Sequence, residues 1–284
     1  MNGRTALRWT GYLAFAVAFA VACAFLANWQ FSRNQWREGQ LELIAANYDA
    51  EPVPLAEVLP VGGSFQPDDE WHPITLEGHY LTEQTLLARN RAHGGTSAFE
   101  VLVPFQTDDG RVFIVDRGWV PPAADSPDPE AVPSPPSGQV TVTVRLRPGE
   151  MLPPSGRSAP AGQVPTINLP LIGETIGADD IIDGAYGVLV SEDPAVSPVP
   201  QAFDSPSEDP GPYLSYAIQW ILFALMGFAF IWYIIRTEIQ HSREDAEEAA
   251  GGESAASVRR RRAHDRRDRD MQEEDSLVDE LMPR

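Results

Sequence analysis

The chain has 284 residues, enough for one or two domains, and a formal net charge of −20. All 21 basic residues are Arg, which excludes a phosphate-binding loop of the GxxxxGKS/T type and a Schiff-base lysine. A single Cys, Cys23, excludes an intrachain disulfide, a CxxC redox pair and a cysteine zinc cluster, and the acidity argues against binding nucleic acid.

Two long uncharged runs dominate the hydropathy, at residues 10–27 and 213–235. The second has 23 residues, or about 34 Å as a helix, against a membrane hydrocarbon core of about 30 Å. Aromatic residues cluster at both of its ends, as membrane interfaces favour. Buried core helices are the alternative, but the second run has no polar stripe. We therefore predict two transmembrane helices.

The first run has a second alternative, a cleaved signal peptide, because Ala22, Cys23 and Ala24 resemble a small-residue cleavage site. The run is longer than the usual apolar region of a signal peptide, which favours a retained helix. Ala14, Ala18 and Ala22 recur every four residues. This spacing predicts that they form the close contact of the first helix with another helix.

The placement of Arg predicts the orientation. Arg236, Arg243 and residues 259–262 follow the second run, whereas only acidic charges directly precede it. The positive-inside rule therefore places the C-terminus in the cytoplasm. Two spans then place residues 1–9 in the cytoplasm as well, and residues 28–212 outside the plasma membrane.

The segment 28–212 carries 27 acidic residues and nine Arg and is rich in strand-like runs. Residues 32–47 favour a helix, residues 107–110 a hairpin turn, and the Pro-rich stretches 121–139 and 148–165 favour loops. The sequence thus predicts an α+β membrane protein in which two transmembrane helices flank a β-rich extracytoplasmic domain. The predicted strands lie at 71–80, 84–91, 99–106, 111–120, 140–147 and 184–190.

The tail, residues 236–284, mixes acidic residues and Arg with few apolar ones. This composition is typical of a disordered cytoplasmic tail or a frayed polar helix. Residues 259–262 suit contact with anionic lipid, or serve only as a topology signal. The sequence favours the topology signal.

Motifs for metal binding and nucleophilic catalysis are the next candidates. None of the five His lies in a predicted span, and His72 and His79, seven residues apart on one predicted strand, point to opposite faces. The chain has no GxSxG elbow. We therefore predict neither a metal site nor a catalytic residue.

The stretch VFIVDRGWV, residues 112–120, places an acid beside a base on a predicted strand. Strand alternation points Asp116 and Arg117 to opposite faces, so they are not expected to pair with each other. Arg89 and Arg91 share a face, and one of them is the predicted ion-pair partner of Asp116 across the sheet. A general base would need a neighbour that raises its pKa, and no residue near Asp116 in the sequence does so.

Five segments, in order and spacing, resemble the surfeit locus protein 1 family, assembly factors for haem-copper cytochrome c oxidase. FIVDRGWVP is similar to the family's strand ending in RGWVP, and ITLEGHY to its strand ending in G-x-Y. Asn-Trp-Gln at 28–30, with Arg33 and Trp36-Arg37, resembles G-x-W-Q-x-x-R-x-x-W-K. Two further elements of the family are similar to stretches of this chain: one to RNR followed by VLVPF, the other to GPYLSYAIQW. The matching residues are Trp29, Gln30, Arg33, Trp36, Gly78, Tyr80, Arg89, Arg91, Pro104, Asp116, Arg117, Gly118 and Trp119.

The chain departs from the family pattern at Val144, where a Gly is usual and where the expected effect is no more than an altered bulge, and at Tyr213, where a His is usual. The resemblance implies binding of a nascent oxidase subunit and of haem a, for which a membrane His is the natural axial ligand. A tyrosinate also ligates haem, and packing is the alternative role for Tyr213. The candidate contacts with haem or a partner helix are Tyr213, Tyr216, Gln219 and Trp220.

A helix places Tyr213, Tyr216 and Trp220 on one stripe with Gln219 adjacent. We expect this stripe to face the first span near Trp29 and Gln30, or an oxidase subunit. The resemblance thus implies a plasma-membrane assembly factor that acts by binding rather than catalysis, with oxidase subunits and the lipid bilayer as partners. A stable accessory subunit of the oxidase, a receptor with an extracytoplasmic sensor domain and an envelope hydrolase are the alternatives.

Overall fold

The computed structural model describes residues 3–126, 128–156, 158–249, 260–267 and 271. Its described residues form two compact units, one within Met1–Asn34 and Gly211–Arg284 and the other within Gln35–Pro210. The helices are α1 Gly3–Asn47, α2 Leu55–Val58, α3 Leu169–Ile176 and α4 Tyr213–Ala249. The strands are β1 Val53–Pro54, β2 Pro73–Tyr80, β3 Leu86–His93, β4 Thr96–Thr107, β5 Val112–Val120, β6 Val140–Pro148, β7 Gln163–Val164 and β8 Ala185–Asp193.

Helices α1 and α4 are long and apolar enough to cross a membrane. Small residues lie between them: Ala16, Cys23 and Ala27 of α1 are buried, as is Ala217 of α4. A Cβ atom on Gly227 would lie only 3.1 Å from the Phe19 ring, so the Phe19 side chain packs directly against α4 at this glycine.

The predicted contact through Ala14, Ala18 and Ala22 is wrong, because all three are exposed. The buried stripe instead follows Ala16, Cys23 and Ala27, whose spacings of seven and four keep one face of a helix toward its neighbour.

The described part of the tail is helical. Helix α4 continues beyond residue 235 to Ala249, and residues 260–267 are helical as well. These residues adopt the polar helix rather than the disordered state of the two alternatives. Residues 250–259, 268–270 and 272–284 lie outside the described part of the chain.

Five strands of the second unit close into a barrel in the order β2-β6-β8-β5-β4, because β2 pairs with both β6 and β4. All six predicted strands are confirmed within a few residues of their bounds. The sequence missed the two-residue strands β1 and β7 and the short helices α2 and α3. Helix α3 follows a Pro-rich stretch; the side chain of Asn168 caps its start, and Gly177 in the left-handed conformation ends it.

The barrel strands bury one face inside the barrel and part of the other beneath α3, and this explains their two apolar cores. The inner core includes Phe105, Phe113, Val115, Val142 and Leu146. The outer core lies between β3, β4, β5, β8 and α3, and includes Leu102, Ile114, Leu169, Ile172 and Tyr186.

Two residues of the family motif, Gly78 and Pro104, and one departure from it, Val144, lie at positions that matter for barrel closure. A Cβ on Gly78 would lie 2.0 Å from the carbonyl oxygen of Gln106, so only Gly lets β2 meet β4. Pro104, which has no N–H, lies where β4 changes its neighbour from β3 to β2. Val144 pairs with Leu189 at a register shift between β6 and β8, and Gly187, two residues before Leu189, leaves room for the Val144 side chain.

Candidate functional site: strand β5 and the return segment

Strand β5 separates from β8 halfway along its length, and the residues between β8 and α4 cross the gap. The two strands pair only at Val115 with Gly187 and at Asp116 with Val188. Beyond that point the return segment, residues 194–210, runs beside β5. Trp119 and Gln201 exchange two backbone hydrogen bonds of 2.9 Å each.

Gly118 allows this close approach. Its φ is +119°, and a Cβ atom there would lie 2.4 Å from the carbonyl oxygen of Gln201. The next residue adds side-chain contacts: the Trp119 indole donates to the Ala202 carbonyl at 3.2 Å and stacks on His93 with ring centroids 5.5 Å apart. Phe203 of the return segment packs on the other side of His93, at 5.1 Å.

The C-terminal end of α1 holds the rest of the return segment. Arg37 donates to the carbonyl oxygens of Ser207 and Asp209, at 2.6 Å and 2.9 Å. The Tyr48 hydroxyl donates to the Ser205 hydroxyl at 3.4 Å. Two motif segments far apart in sequence, residues 36–37 and 117–119, therefore meet at the return segment.

Arg117 points into the barrel. Its guanidinium binds the Glu192 carboxylate through two hydrogen bonds of 2.7 Å and 3.2 Å, and donates a third to the Pro133 carbonyl at 3.0 Å. The side chains of the pair are 0% and 5% exposed. Tyr80, another predicted motif residue, lies with its ring 5.5 Å from the guanidinium. The pair is thus a buried structural connection between β5 and β8.

Asp116 points the opposite way, toward the outer core, as strand alternation predicted. A connected set of charged side chains lies beside it. Arg91 donates to Glu100 at 2.5 Å and to Glu150 at 2.7 Å, and the His93 ring lies 2.8 Å from Glu100. Glu150 also accepts from the Thr166 hydroxyl and the Ile167 N–H. The prediction that Arg89 or Arg91 pairs directly with Asp116 is wrong, because Arg91 binds these two glutamates instead.

The expectation that nothing raises the pKa of Asp116 is also wrong. Complete burial, and next the nearby Glu100 carboxylate, raise the pKa of Asp116 well above its usual value, although the Gly118 N–H donates to it at 3.2 Å. Glu100 is distant in sequence and adjacent only in the sheet. Although burial opposes it, hydrogen bonds from Arg91, Thr166 and the Ile167 N–H hold the pKa of Glu150 below its usual value.

We predict that Asp116→Asn removes a loss of stability at rising pH. With a raised pKa, the folded chain retains a proton that the unfolded chain releases above pH of about 4. Stability therefore falls by about 1.4 kcal/mol per pH unit from there up to the folded-state pKa. Urea unfolding of the detergent-solubilised chain at a series of pH values from about pH 5 upward should show this slope in wild type but not in Asp116→Asn.

Asp109→Asn is the matched control, because the Arg111 guanidinium holds the pKa of Asp109 at about 2. Asp109 is therefore ionised in the folded and unfolded chain alike over this pH range, so the slope should be that of wild type. An Asp116→Asn variant that keeps the wild-type slope would refute a proton on Asp116.

The candidate stripe on α4 is arranged differently from the prediction. Only Ala217 is buried; Tyr213 and Trp220 are half-buried, and Tyr216 and Gln219 are exposed. The Arg33 guanidinium lies over the Tyr213 ring at 5.8 Å. Ala217 rather than Gln219 is buried in the helix pair, and contact of Gln219 with an oxidase subunit, the other expected neighbour of this stripe, stays a prediction.

Among the remaining motif residues, Trp29 and Trp36 are more than half exposed, at 56% and 57%. No sequence prediction named Glu100, Glu150 and Glu192, which bind the motif residues Arg91 and Arg117. No local pattern marks them, because each meets its partner only through strand pairing or a long loop. The described residues contain no group of three or more His, Cys, Asp or Glu placed to hold a metal ion.

Comparisons with known proteins agree with this arrangement. The SURF1 family model matches residues 17–225, which include most of α1, the whole barrel and the start of α4. Uncharacterized SURF1-like proteins of Mycobacterium bovis and Mycobacterium tuberculosis are each 36% identical over 244 residues, or 83% of this chain and 87% of theirs. The cytochrome oxidase assembly protein SHY1 of Saccharomyces cerevisiae is 26% identical over 121 residues, 41% of this chain and 30% of its own. The chain belongs to the SURF1 family.

Proposed function

We propose that the chain is a two-span membrane protein that assists assembly of a haem-copper cytochrome c oxidase by binding a nascent oxidase subunit. Membership of the SURF1 family supports an assembly role, as does the similarity to a yeast protein named for it. The ion pairs around β5 support binding rather than catalysis, because Arg91, Arg117 and Glu192 are already engaged by protein partners.

In this proposal α1 and α4 cross the plasma membrane, with both termini in the cytoplasm and the barrel outside. The Arg residues after α4 support this orientation. A reporter enzyme fused at Ser134, in the loop between β5 and β6, tests it directly. The proposal requires activity of a reporter that functions only outside the cytoplasm, and a cytoplasmic signal at this position would refute it.

The observation that carries the partner-binding proposal is the position of Gln219. Ala217 faces α1 within the helix pair, whereas the Gln219 amide is exposed two residues later. An amide about two turns into an apolar helix has an unfavourable energy against lipid unless another polar group meets it. Of the two predicted neighbours for this stripe, an oxidase subunit suits Gln219 better than the first helix, because Ala217 is the residue buried in the helix pair. We therefore propose that Gln219 contacts a helix of the oxidase subunit.

Gln219→Leu should leave membrane insertion intact and lower the amount of assembled oxidase. Interhelical hydrogen bonds in membranes contribute about 0.6–1.7 kcal/mol, so subunit binding should weaken by roughly threefold to 15-fold. The measurement is the haem a content of membranes per unit of this protein. Gln219→Asn, which keeps the amide, is the control and should retain most of the oxidase. Unchanged haem a content in Gln219→Leu would refute the contact.

Haem a is the other ligand that the resemblance implies, and the residues of the helix pair do not fit it. None of the five His lies within 10–27 or 213–235, Tyr213 is covered by Arg33, and Cys23 is buried between the helices. Ala16, Ala27 and Ala217 close the space between α1 and α4. We therefore assign no haem step to this chain, and the proposal concerns the protein partner alone.

An assembly factor and a permanent oxidase subunit differ in how long they remain bound. Affinity purification of the mature oxidase decides between them. We expect this chain to be present in less than equal amounts relative to the oxidase subunits, as a transient partner is. Equal amounts in the fully active enzyme would identify it as an accessory subunit.

A further inference from the structure

The helical segment 260–267 concentrates positive charge in an otherwise acidic chain. Five of its eight residues are Arg and one is Asp, so its net charge is +4 with His264 neutral. All eight side chains are exposed. The whole chain, in contrast, carries a net charge of −20.

Arg residues of the barrel unit have a different use. Arg91 and Arg117 pair with buried glutamates, and Arg145 and Arg147 lie over the rings of Tyr48 and Trp71 at 3.7 Å and 4.0 Å. Those guanidinium groups stabilise the fold. The segment 260–267 presents its guanidinium groups outward, which is the arrangement that binds an extended anionic surface.

We propose that segment 260–267 binds the anionic phospholipid headgroups of the bilayer that holds α1 and α4. This inference rests on the membrane insertion proposed above, not on the oxidase role. Guanidinium groups form paired hydrogen bonds with phosphate oxygens. Arg on all sides of the segment lets several of them meet a flat layer of phosphates at once.

The length of the chain allows the segment to reach that surface. Ile239 is the last large apolar residue of α4, and Ala249 lies about 15 Å further along the helix axis. The ten residues 250–259 span up to about 35 Å. That reach exceeds the distance back to the headgroups, so the segment can lie on the membrane face from which α4 emerges.

The binding should depend on lipid charge and on salt. Each Arg near an anionic surface raises the ratio of bound to free segment about fivefold. Not every Arg can face the bilayer at the same time. Raising the salt concentration from 0.1 M to 0.5 M shortens the Debye length from about 10 Å to about 4 Å, which should release the segment.

The test uses the full chain in nanodiscs of phosphatidylglycerol or phosphatidylcholine. Ala263→Cys, in a Cys23→Ser background, carries a fluorophore whose quenching by acrylamide reports exposure to water. We expect quenching at least about fivefold weaker in phosphatidylglycerol discs, and recovery at 0.5 M salt. Replacing Arg260, Arg262, Arg266 and Arg267 together by Lys should preserve the protection. Replacing the same four residues by Gln should abolish it. Both variants keep Arg236 and Arg243, which maintain the orientation.

Equally strong quenching in both lipids, with protection in neither, would overturn the proposal and leave these Arg as a topology signal. Protection in phosphatidylcholine discs as well would mean that the segment packs on the protein itself. Protection in those discs only after addition of a single-stranded oligonucleotide would identify nucleic acid as the ligand, and protection by inorganic phosphate would identify a free anion. A chain that does not co-elute with nanodiscs would instead refute membrane insertion, which separates the two failures.

Discussion

Arg117→Met is expected to lower the free energy of unfolding by about 3–5 kcal/mol, because it leaves the Glu192 carboxylate buried without a counter-charge. Glu192 is only 5% exposed, and both of its oxygens accept from this guanidinium. The Pro133 carbonyl loses its donor as well. Urea unfolding of the full chain in detergent, followed by Trp fluorescence, measures the change.

Two further variants separate charge burial from loss of side-chain packing. The double variant Arg117→Met with Glu192→Leu removes both charges and should recover most of the stability, because an apolar pair of similar volume fits a buried site. Arg147→Met removes the ion pair with Glu70, which is more exposed because the Arg147 side chain is 31% exposed. This change should lower the free energy of unfolding by about 1 kcal/mol. Equal losses in Arg117→Met and Arg147→Met would contradict the assignment of a buried ion pair.

Gly118→Ala is expected to detach the return segment from β5 and to lower stability by about 3 kcal/mol. The methyl group would lie 2.4 Å from the Gln201 carbonyl oxygen, which belongs to the backbone and cannot rotate away. Its φ of +119° adds conformational strain for any residue with a Cβ. Proteinase K should cleave residues 194–210 faster in the variant, which mass spectrometry of the fragments reports.

Gly110→Ala is the control that measures the cost of a positive φ without a steric clash. Its φ is +89°, but a Cβ there meets nothing within 4 Å. We expect a loss of about 1 kcal/mol and no change in cleavage of the return segment. If Gly118→Ala behaves like Gly110→Ala, the contact with Gln201 does not hold the return segment.

Local sequence patterns predicted those parts of the fold that depend on neighbouring residues. The alternation in VFIVDRGWV predicted both strand β5 and the opposite directions of Asp116 and Arg117. Two long uncharged runs predicted α1 and α4. The same reasoning failed for Ala14, Ala18 and Ala22, because several stripes of small residues are present on α1 and only the contact with α4 selects one of them.

The sequence by itself determined the two long helices, the six longer strands, their order and the family, since each depends on residues close together in the chain or on the order of short motifs. Only the tertiary structure decided which charges meet: Glu192 binds Arg117, and Glu100 and Glu150 bind Arg91. It also decided that the backbone of Gln201 lies against Gly118. These partners lie tens of residues away in most cases and are brought together by strand pairing and by long loops. Burial there also sets the pKa of Asp116, because the dielectric environment of a carboxyl depends on what packs around it.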